Sequence, residues 1–272
     1  MNEHRQKIAI VCSGGGMKCS YSSGALVALA RDFNFRNPDI VIASSGSGGG
    51  VCYYLADQID SIPKIWEELL PSSKLISYLR LNKVLDVDYL VDEVFKKQEP
   101  LDVKKLKDTK TEVFFTATEA STGLGIYLTK EDGDVFELIR ATVAMPFIYR
   151  KKVKVNNNFY IDGTIALSFQ DQINKAIDMG ATHVIAIDNS TLPFIFLREF
   201  LTKVYRLFLY GKFSSIDSTK INYTNAKIIF IKDNKSEAKL LTKDKKVIEK
   251  AFDQGYRDIL ENEEIRKLFF VS

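Results

Sequence analysis

Asp39-Ile40-Val41-Ile42-Ala43 runs straight into Ser44-Ser45-Gly46-Ser47-Gly48-Gly49-Gly50, and that run leads into Val51-Cys52-Tyr53-Tyr54-Leu55-Ala56. The first piece is a short β-branched apolar strand and the last opens a helix. A serine among glycines at a strand-to-helix junction is the setting of a nucleophile elbow. The hydroxyl there sits on a tight turn, and neighbouring side chains must be small for strand and helix to close around it. Read this way, Ser47 is the candidate nucleophile, Gly46, Gly48 and Gly49 supply the room, and Ser45 stands where the motif G-x-S-x-G has its first glycine. A glycine- and serine-rich loop without chemistry is the competing reading.

Upstream, Lys7-Ile8-Ala9-Ile10-Val11-Cys12 reads as a strand buried on both faces, followed by Ser13-Gly14-Gly15-Gly16-Met17-Lys18 and a helix over Tyr21 to Arg31. Free backbone amides at a helix N-terminus attract anions. A dinucleotide cradle is one use of such a loop. It lacks its third glycine, because Cys19 falls there, and the second strand ends in Ile42-Ala43-Ser44-Ser45 with no acid for a ribose. An oxyanion hole formed by Gly14, Gly15 and Gly16 is the other use. It requires the two strands to be parallel neighbours, and it is the reading preferred here.

Further on, helical spacing runs from Pro63 to Gln98, with Leu75 to Leu81 as one helical piece. Glu112 to Thr118 and Gly125 to Thr129 read as a hairpin, and Asp134 to Ala144 as a helix stopped by Pro146. Short strands follow over Arg150 to Val155 and Asn158 to Ile161, then the turn Asp162-Gly163-Thr164, a helix over Phe169 to Met179, and strands at Thr182 to Ile187 and Ala226 to Lys232. Lys246 to Ile265 closes the chain as one or two helices. Strands alternating with helices imply an α/β fold, a three-layer α/β/α sandwich with a mainly parallel central sheet. The expected organisation is a single domain over 1–272, with a motif-bearing core at about 7–190 and a C-terminal strand and helices in 191–272.

The chain has 272 residues, 46% of them hydrophobic, and a net charge of +3. That supports a large core and gives no case for nucleic acid as a partner. Cys12, Cys19 and Cys52 have no metal-ligand spacing and read as reduced thiols of a cytoplasmic protein. No cofactor is expected. The apolar run Ile8 to Cys12 is too short for a signal-peptide core, and no run has transmembrane length. Pro193 to Lys212 has Phe194, Leu197, Leu201, Val204 and Phe208 on one side and Arg198, Glu199, Lys203 and Arg206 on the other. It reads as a helix packed on the sheet, or alternatively as a peripheral membrane contact.

A serine needs a base. His4 lies in a polar tail, and His183 opens a buried strand at the edge away from the site, since such sheets bind ligands at strand carboxyl ends. Asp162, in the turn after an apolar strand, is the better candidate. Burial is what raises an aspartate towards useful basicity.

Together these pieces resemble the patatin-like phospholipase family. Ser13-Gly14-Gly15-Gly16-Met17-Lys18 is similar to its motif G-G-G-x-[K/R]-G, Ser45-Gly46-Ser47-Gly48-Gly49 to its G-x-S-x-G, and Asp162-Gly163-Thr164 to its D-G-[G/A]. Arg140-Ala141-Thr142-Val143-Ala144-Met145-Pro146 resembles the segment between elbow and aspartate. The resemblance, from Lys7 to Ile187, implies a Ser-Asp dyad of Ser47 and Asp162, an oxyanion hole at Gly14 to Gly16 supported by Lys18 and Gly163, no metal, and hydrolysis of lipid acyl esters. Cys19, Ser45 and Thr164 are larger than the family's pattern, which leaves a non-catalytic binder of nucleotide or lipid as the alternative.

Overall fold

The computed structural model describes residues 6–80, 83–189 and 226–270. His4 and the Pro193 to Lys212 segment lie outside the described residues. Among the described residues eight strands form one sheet: β1 (Ile8–Cys12), β2 (Ile40–Ala43), β3 (Glu112–Glu119), β4 (Gly125–Thr129), β5 (Val153–Val155), β6 (Asn158–Asp162), β7 (His183–Asp188) and β8 (Lys227–Lys232). Their order is β5-β6-β3-β2-β1-β7-β8, with β4 on β3. The helices that matter below are α1 (Ser20–Arg31), α2 (Ser47–Leu55), α3 (Ser61–Lys64), α4 (Val103–Asp108), α5 (Val135–Val143), α6 (Phe169–Asp178), α7 (Lys245–Glu261) and α8 (Glu263–Phe270).

The alternation of side chains along β1 and β2 builds the three layers. Ile10, Cys12, Val41 and Ala43 pack into a cluster with residues of α1, α2, α5 and α7, while Ala9, Val11, Ile40 and Ile42 pack against Phe169, Ile173, Ala176 and Ile177 of α6. β1 pairs in parallel with β2 on one side and β7 on the other. The loops after β1 and β2 therefore emerge side by side.

The register on β3 brings a distant segment to the same place. β2 pairs with Glu112 to Phe115, and β6 pairs with Ala117 to Glu119. β4 pairs with Phe114 to Thr118, overlapping both, so β2 and β6 share the opposite edge of β3 end to end. Thr116 marks the junction. There β2 has ended at Ala43, opposite Phe115, and β6 ends at Asp162, opposite Ala117.

One expected element is absent. Leu75 to Leu81 does not form a helix within its described residues; Ile76 bridges Leu85 in antiparallel fashion and the Ser77 amide donates to the Val84 carbonyl at 2.8 Å. The apolar spacing there serves a narrow loop whose inner residues face the core. The final helical stretch is two helices, broken at Asn262, where ψ is 115°.

Candidate active site

The elbow is at Ser45. Its φ of +52° is left-handed, a conformation that costs a non-glycine residue energy and is held by the surrounding structure. The Ser45 amide donates to Thr142 Oγ1 at 3.0 Å, and the Ser44 hydroxyl accepts from Thr116 Oγ1 at 2.8 Å. The last turn of α5 and the centre of β3 thus grip the turn. From it Ser45 Oγ donates to Asp162 Oδ2 at 2.6 Å.

Ser47 does not make the expected pair with Asp162. Its hydroxyl is buried in the first turn of α2, donating to the Ser44 and Cys12 carbonyls at 2.8 and 3.2 Å and accepting from the Ser44 amide at 2.9 Å. It closes the turn, as a capping hydroxyl does. The same stretch also holds a frame two residues earlier, Ala43-Ser44-Ser45-Gly46-Ser47, with Ala43 and Ser47 in the places of the outer glycines.

Asp162 is fully buried, and burial pushes its carboxyl up to about 6 against the opposing hydrogen bonds from Ser45 and Thr164. Thr164 donates to Oδ1 from its amide at 2.9 Å and its hydroxyl at 2.7 Å, leaving Oδ2 to Ser45. Gly163 lies against Thr116, where a side chain has no space.

Gly14 faces the elbow: a Cβ built on it would stand 2.9 Å from Ser45 Cβ and 2.8 Å from Thr164 Cγ2. Gly16 has φ +58°, and a Cβ there would crowd Leu240. Among the described residues, the amides of Gly14, Gly15, Gly16 and Gly46 make no backbone hydrogen bond, whereas that of Met17 donates to the Leu240 carbonyl at 3.0 Å. Gly48 and Gly49 pack α2 on Thr142 and Phe95.

Lys18 is buried behind the loop, where burial lowers its ammonium while Asp233 and Asp188 oppose the shift. Asn189 was not anticipated. It is fully buried, its amide nitrogen donates to Ser13 Oγ at 2.8 Å, its Nδ2 donates to the Ser13 carbonyl at 2.7 Å, and its Oδ1 accepts the Ser22 amide at 3.0 Å. It ties both ends of the glycine loop to the end of β7. A single asparagine after a strand carries no sequence signal of that role.

His183 lies at the amino end of β7, paired with Ile8 at the edge opposite the elbow; burial and Lys227 lower its pKa. The three cysteines are free and buried, with thiols pushed up by that burial. Among the described residues no group of side chains has the makings of a metal site, and no helix is long and apolar enough to cross a membrane.

A narrow apolar cavity begins at Ser45 and Gly46. Its walls are apolar: Trp66, Leu70, Phe95 and Ile139 line the interior, and Met145 and Leu240 contribute from the segments after α5 and β8. Ser47 does not line it.

A central multi-strand sheet flanked by helices places the protein in the class of mixed α/β folds. The patatin-like phospholipase family model matches residues 10–169, more than half of the chain, and the chain belongs to that family, at family level one of lipid hydrolases. It is 24% identical over 187 residues to the uncharacterized protein YjjU of Escherichia coli K12, covering 66% of this chain and 51% of that one. The chain thus spans about half the length of that relative. The fold is similar to the crystal structure of VipD from Legionella pneumophila, with a TM-score of 0.55 and 12% identity over 94% of this chain and 66% of that one.

Proposed function

We propose that the protein is a serine hydrolase of lipid acyl esters in which Ser45, rather than Ser47, is the nucleophile and Asp162 is the base. The observation that carries this is the 2.6 Å hydrogen bond from Ser45 Oγ to Asp162 Oδ2, made from a left-handed elbow. As Ser45 Oγ attacks the acyl carbon, its proton passes to Asp162. The amides of Gly46 and of the Gly14 to Gly16 loop receive the developing oxyanion. Collapse breaks the ester bond, Asp162 returns the proton to the leaving alcohol, and the acyl group stays on Ser45. A water molecule deprotonated by Asp162 then releases the fatty acid by the same steps. The apolar cavity supports an acyl chain as the group held.

The larger residues that motivated a non-catalytic reading have places in this scheme. Ser45 is the nucleophile itself, Thr164 orients Asp162, and Cys19 is buried beneath the glycine loop, where its thiol meets Asn189 Nδ2 at 3.6 Å.

A fluorophosphonate probe tests the assignment. Peptide mapping should find the label on Ser45, and Ser45→Ala should lose both labelling and nitrophenyl ester turnover. Ser47→Ala should keep labelling while losing about 1 kcal/mol of stability with its turn bonds. Labelling of Ser47, or full turnover by a folded Ser45→Ala protein, overturns it.

A further inference from the structure

Three segments meet at the cavity mouth, and two of them carry apolar side chains outwards. The loop containing Ile76 and Leu85 contributes Leu75 and Leu85 to the wall, and its described tip exposes Tyr78 at 62% and Leu79 at 93%. The segment after α5 contributes Met145 and Ile148 and exposes Phe147 at 56%, with φ +73°. A bulky aromatic residue takes that conformation at a cost. The strap after β8 contributes Leu240.

These segments are tied to one another. The Leu85 amide donates to the Ile148 carbonyl at 3.0 Å, Tyr78 Oη donates to the Leu241 carbonyl at 3.3 Å, and Lys243 Nζ lies 5.6 Å from the centre of the Tyr78 ring. Asp88 Oδ2 accepts Lys83 and Lys151 together, at 2.6 and 2.7 Å, joining the first segment to the second.

The charge around this rim is positive. Across residues 74–80, 83–88, 145–152 and 237–244, lysine and arginine outnumber aspartate and glutamate by eight to four. Asp86 and Asp88 are paired with Arg80, Lys83 and Lys151 of the eight and with Arg140 of α5, and Asp244 caps α7 through the Lys246 and Val247 amides, so the surplus is four positive charges. Exposed apolar tips ringed by cations, around the opening of an apolar cavity, meet an anionic lipid surface with both kinds of complementarity.

We propose that this rim, centred on Tyr78, Leu79 and Phe147, is the surface by which the protein docks on anionic bilayers, with the cavity mouth facing the lipid. The orientation, though not the docking itself, rests on reading the cavity as the acyl site. Docking of this kind lets an acyl chain pass from the bilayer to Ser45 without crossing water.

Vesicle sedimentation tests the surface separately from catalysis. In a Ser45→Ala background the protein should sediment with vesicles of phosphatidylcholine mixed with phosphatidylglycerol, less with phosphatidylcholine alone, and less again at high salt. Tyr78→Glu, Leu79→Glu should weaken binding by about tenfold or more, and Lys243→Glu by less. With Ser45 restored, the same variants should hydrolyse a water-soluble butyrate ester as the parent does and lose activity only on vesicles. The proposal is overturned by a parent that ignores anionic vesicles, or by tip variants that bind as the parent does. It also fails if binding is lost in Phe196→Glu, Leu207→Glu and kept in the tip variants. Absence of ester turnover in the parent with vesicle binding intact would refute the catalytic reading alone.

Discussion

Ser45 and Asp162 are 117 residues apart in sequence, yet their side chains meet at 2.6 Å because β2 and β6 end on either side of Thr116 along one edge of β3. The meeting of the two side chains is thus set by backbone register on a shared strand.

The pH dependence of activity and of stability should share one origin. If Asp162 must be ionised to accept the serine proton, kcat/KM rises through about pH 6, where burial places that carboxyl. Stability runs the other way. The folded protein holds a proton on Asp162 that the unfolded chain, with a carboxyl at its ordinary 3.8, has released, so stability is lost as pH rises from about 4 to about 6. The loss attributable to this group is on the order of 3 kcal/mol. Asp162→Asn should remove this contribution from the pH dependence of chemical denaturation and cut kcat/KM by on the order of 10³-fold. An activity limb unmoved from the pH 4 region would refute the base assignment.

Asn189 should act on catalysis through the glycine loop. Asn189→Asp keeps the shape but turns the Nδ2 donor to the Ser13 carbonyl into an acceptor, so two oxygens then face each other in a buried place. Displacement of the Gly14 to Gly16 amides affects the oxyanion more than the bound acyl chain. The expected result is a fall in kcat of about 10- to 100-fold with KM nearly unchanged, and a parallel slowing of fluorophosphonate labelling. A lower melting temperature with kcat intact would make Asn189 a structural residue only.

Much of this arrangement was readable before any coordinates. The apolar runs of β1 and β2 imply parallel neighbours, so the glycine loop had to lie beside the elbow, and Asp162 stood out as an acid at the end of an apolar strand. The elbow's frame was less accessible. Ser45 and Ser47 both flank Gly46, and what separates them is a backbone angle of +52° at Ser45 and a turn-closing role for the Ser47 hydroxyl. Glycines around Ser47 favour that serine in the sequence, although Gly48 and Gly49 serve the packing of α2 on Thr142 and Phe95. Thr116 and Thr142 are single threonines in mainly apolar stretches and Asn189 is one of several polar residues after β7, and only tertiary contacts give them meaning. The apolar spacing of Leu75 to Leu81 suits a helix, and among its described residues it instead serves a narrow loop that turns Leu75 and Ile76 inwards and Leu79 outwards.

The crossing of α1 and α7 rests on two glycines that no motif flagged. Cβ atoms on Gly24 and Gly255 would overlap the Phe252 and Tyr21 carbonyl oxygens, so each helix backbone touches the other. In an isolated helix, Gly→Ala gains about 1 kcal/mol. Here Gly255→Ala should instead destabilise by about 2–4 kcal/mol, because the helices must separate and a packed layer of the core moves with them. Calorimetry of Gly255→Ala decides the matter: a melting temperature at or above the parent's means that the crossing yields without cost.

The cavity leading from Ser45 makes acyl length a property of named side chains. Leu90 lines it from the helical run Tyr89–Gln98 and is only half-buried, so a larger residue there projects into the cavity with less strain on the core than at Ile139. Leu90→Trp should shorten the space available to an acyl chain while leaving Ser45, Asp162 and the glycine loop untouched. A short ester does not reach the obstruction, so its kcat/KM should stay within about twofold of the parent. A long ester loses the burial of each methylene it cannot place, at about 0.8 kcal/mol apiece, so excluding two of them lowers kcat/KM by roughly tenfold. Nitrophenyl esters of increasing chain length, assayed below their critical micelle concentrations, measure this directly. Equal losses at every length would mean that Leu90 perturbs the site as a whole. No loss at any length would mean that the acyl chain lies elsewhere and that the cavity is not its binding place.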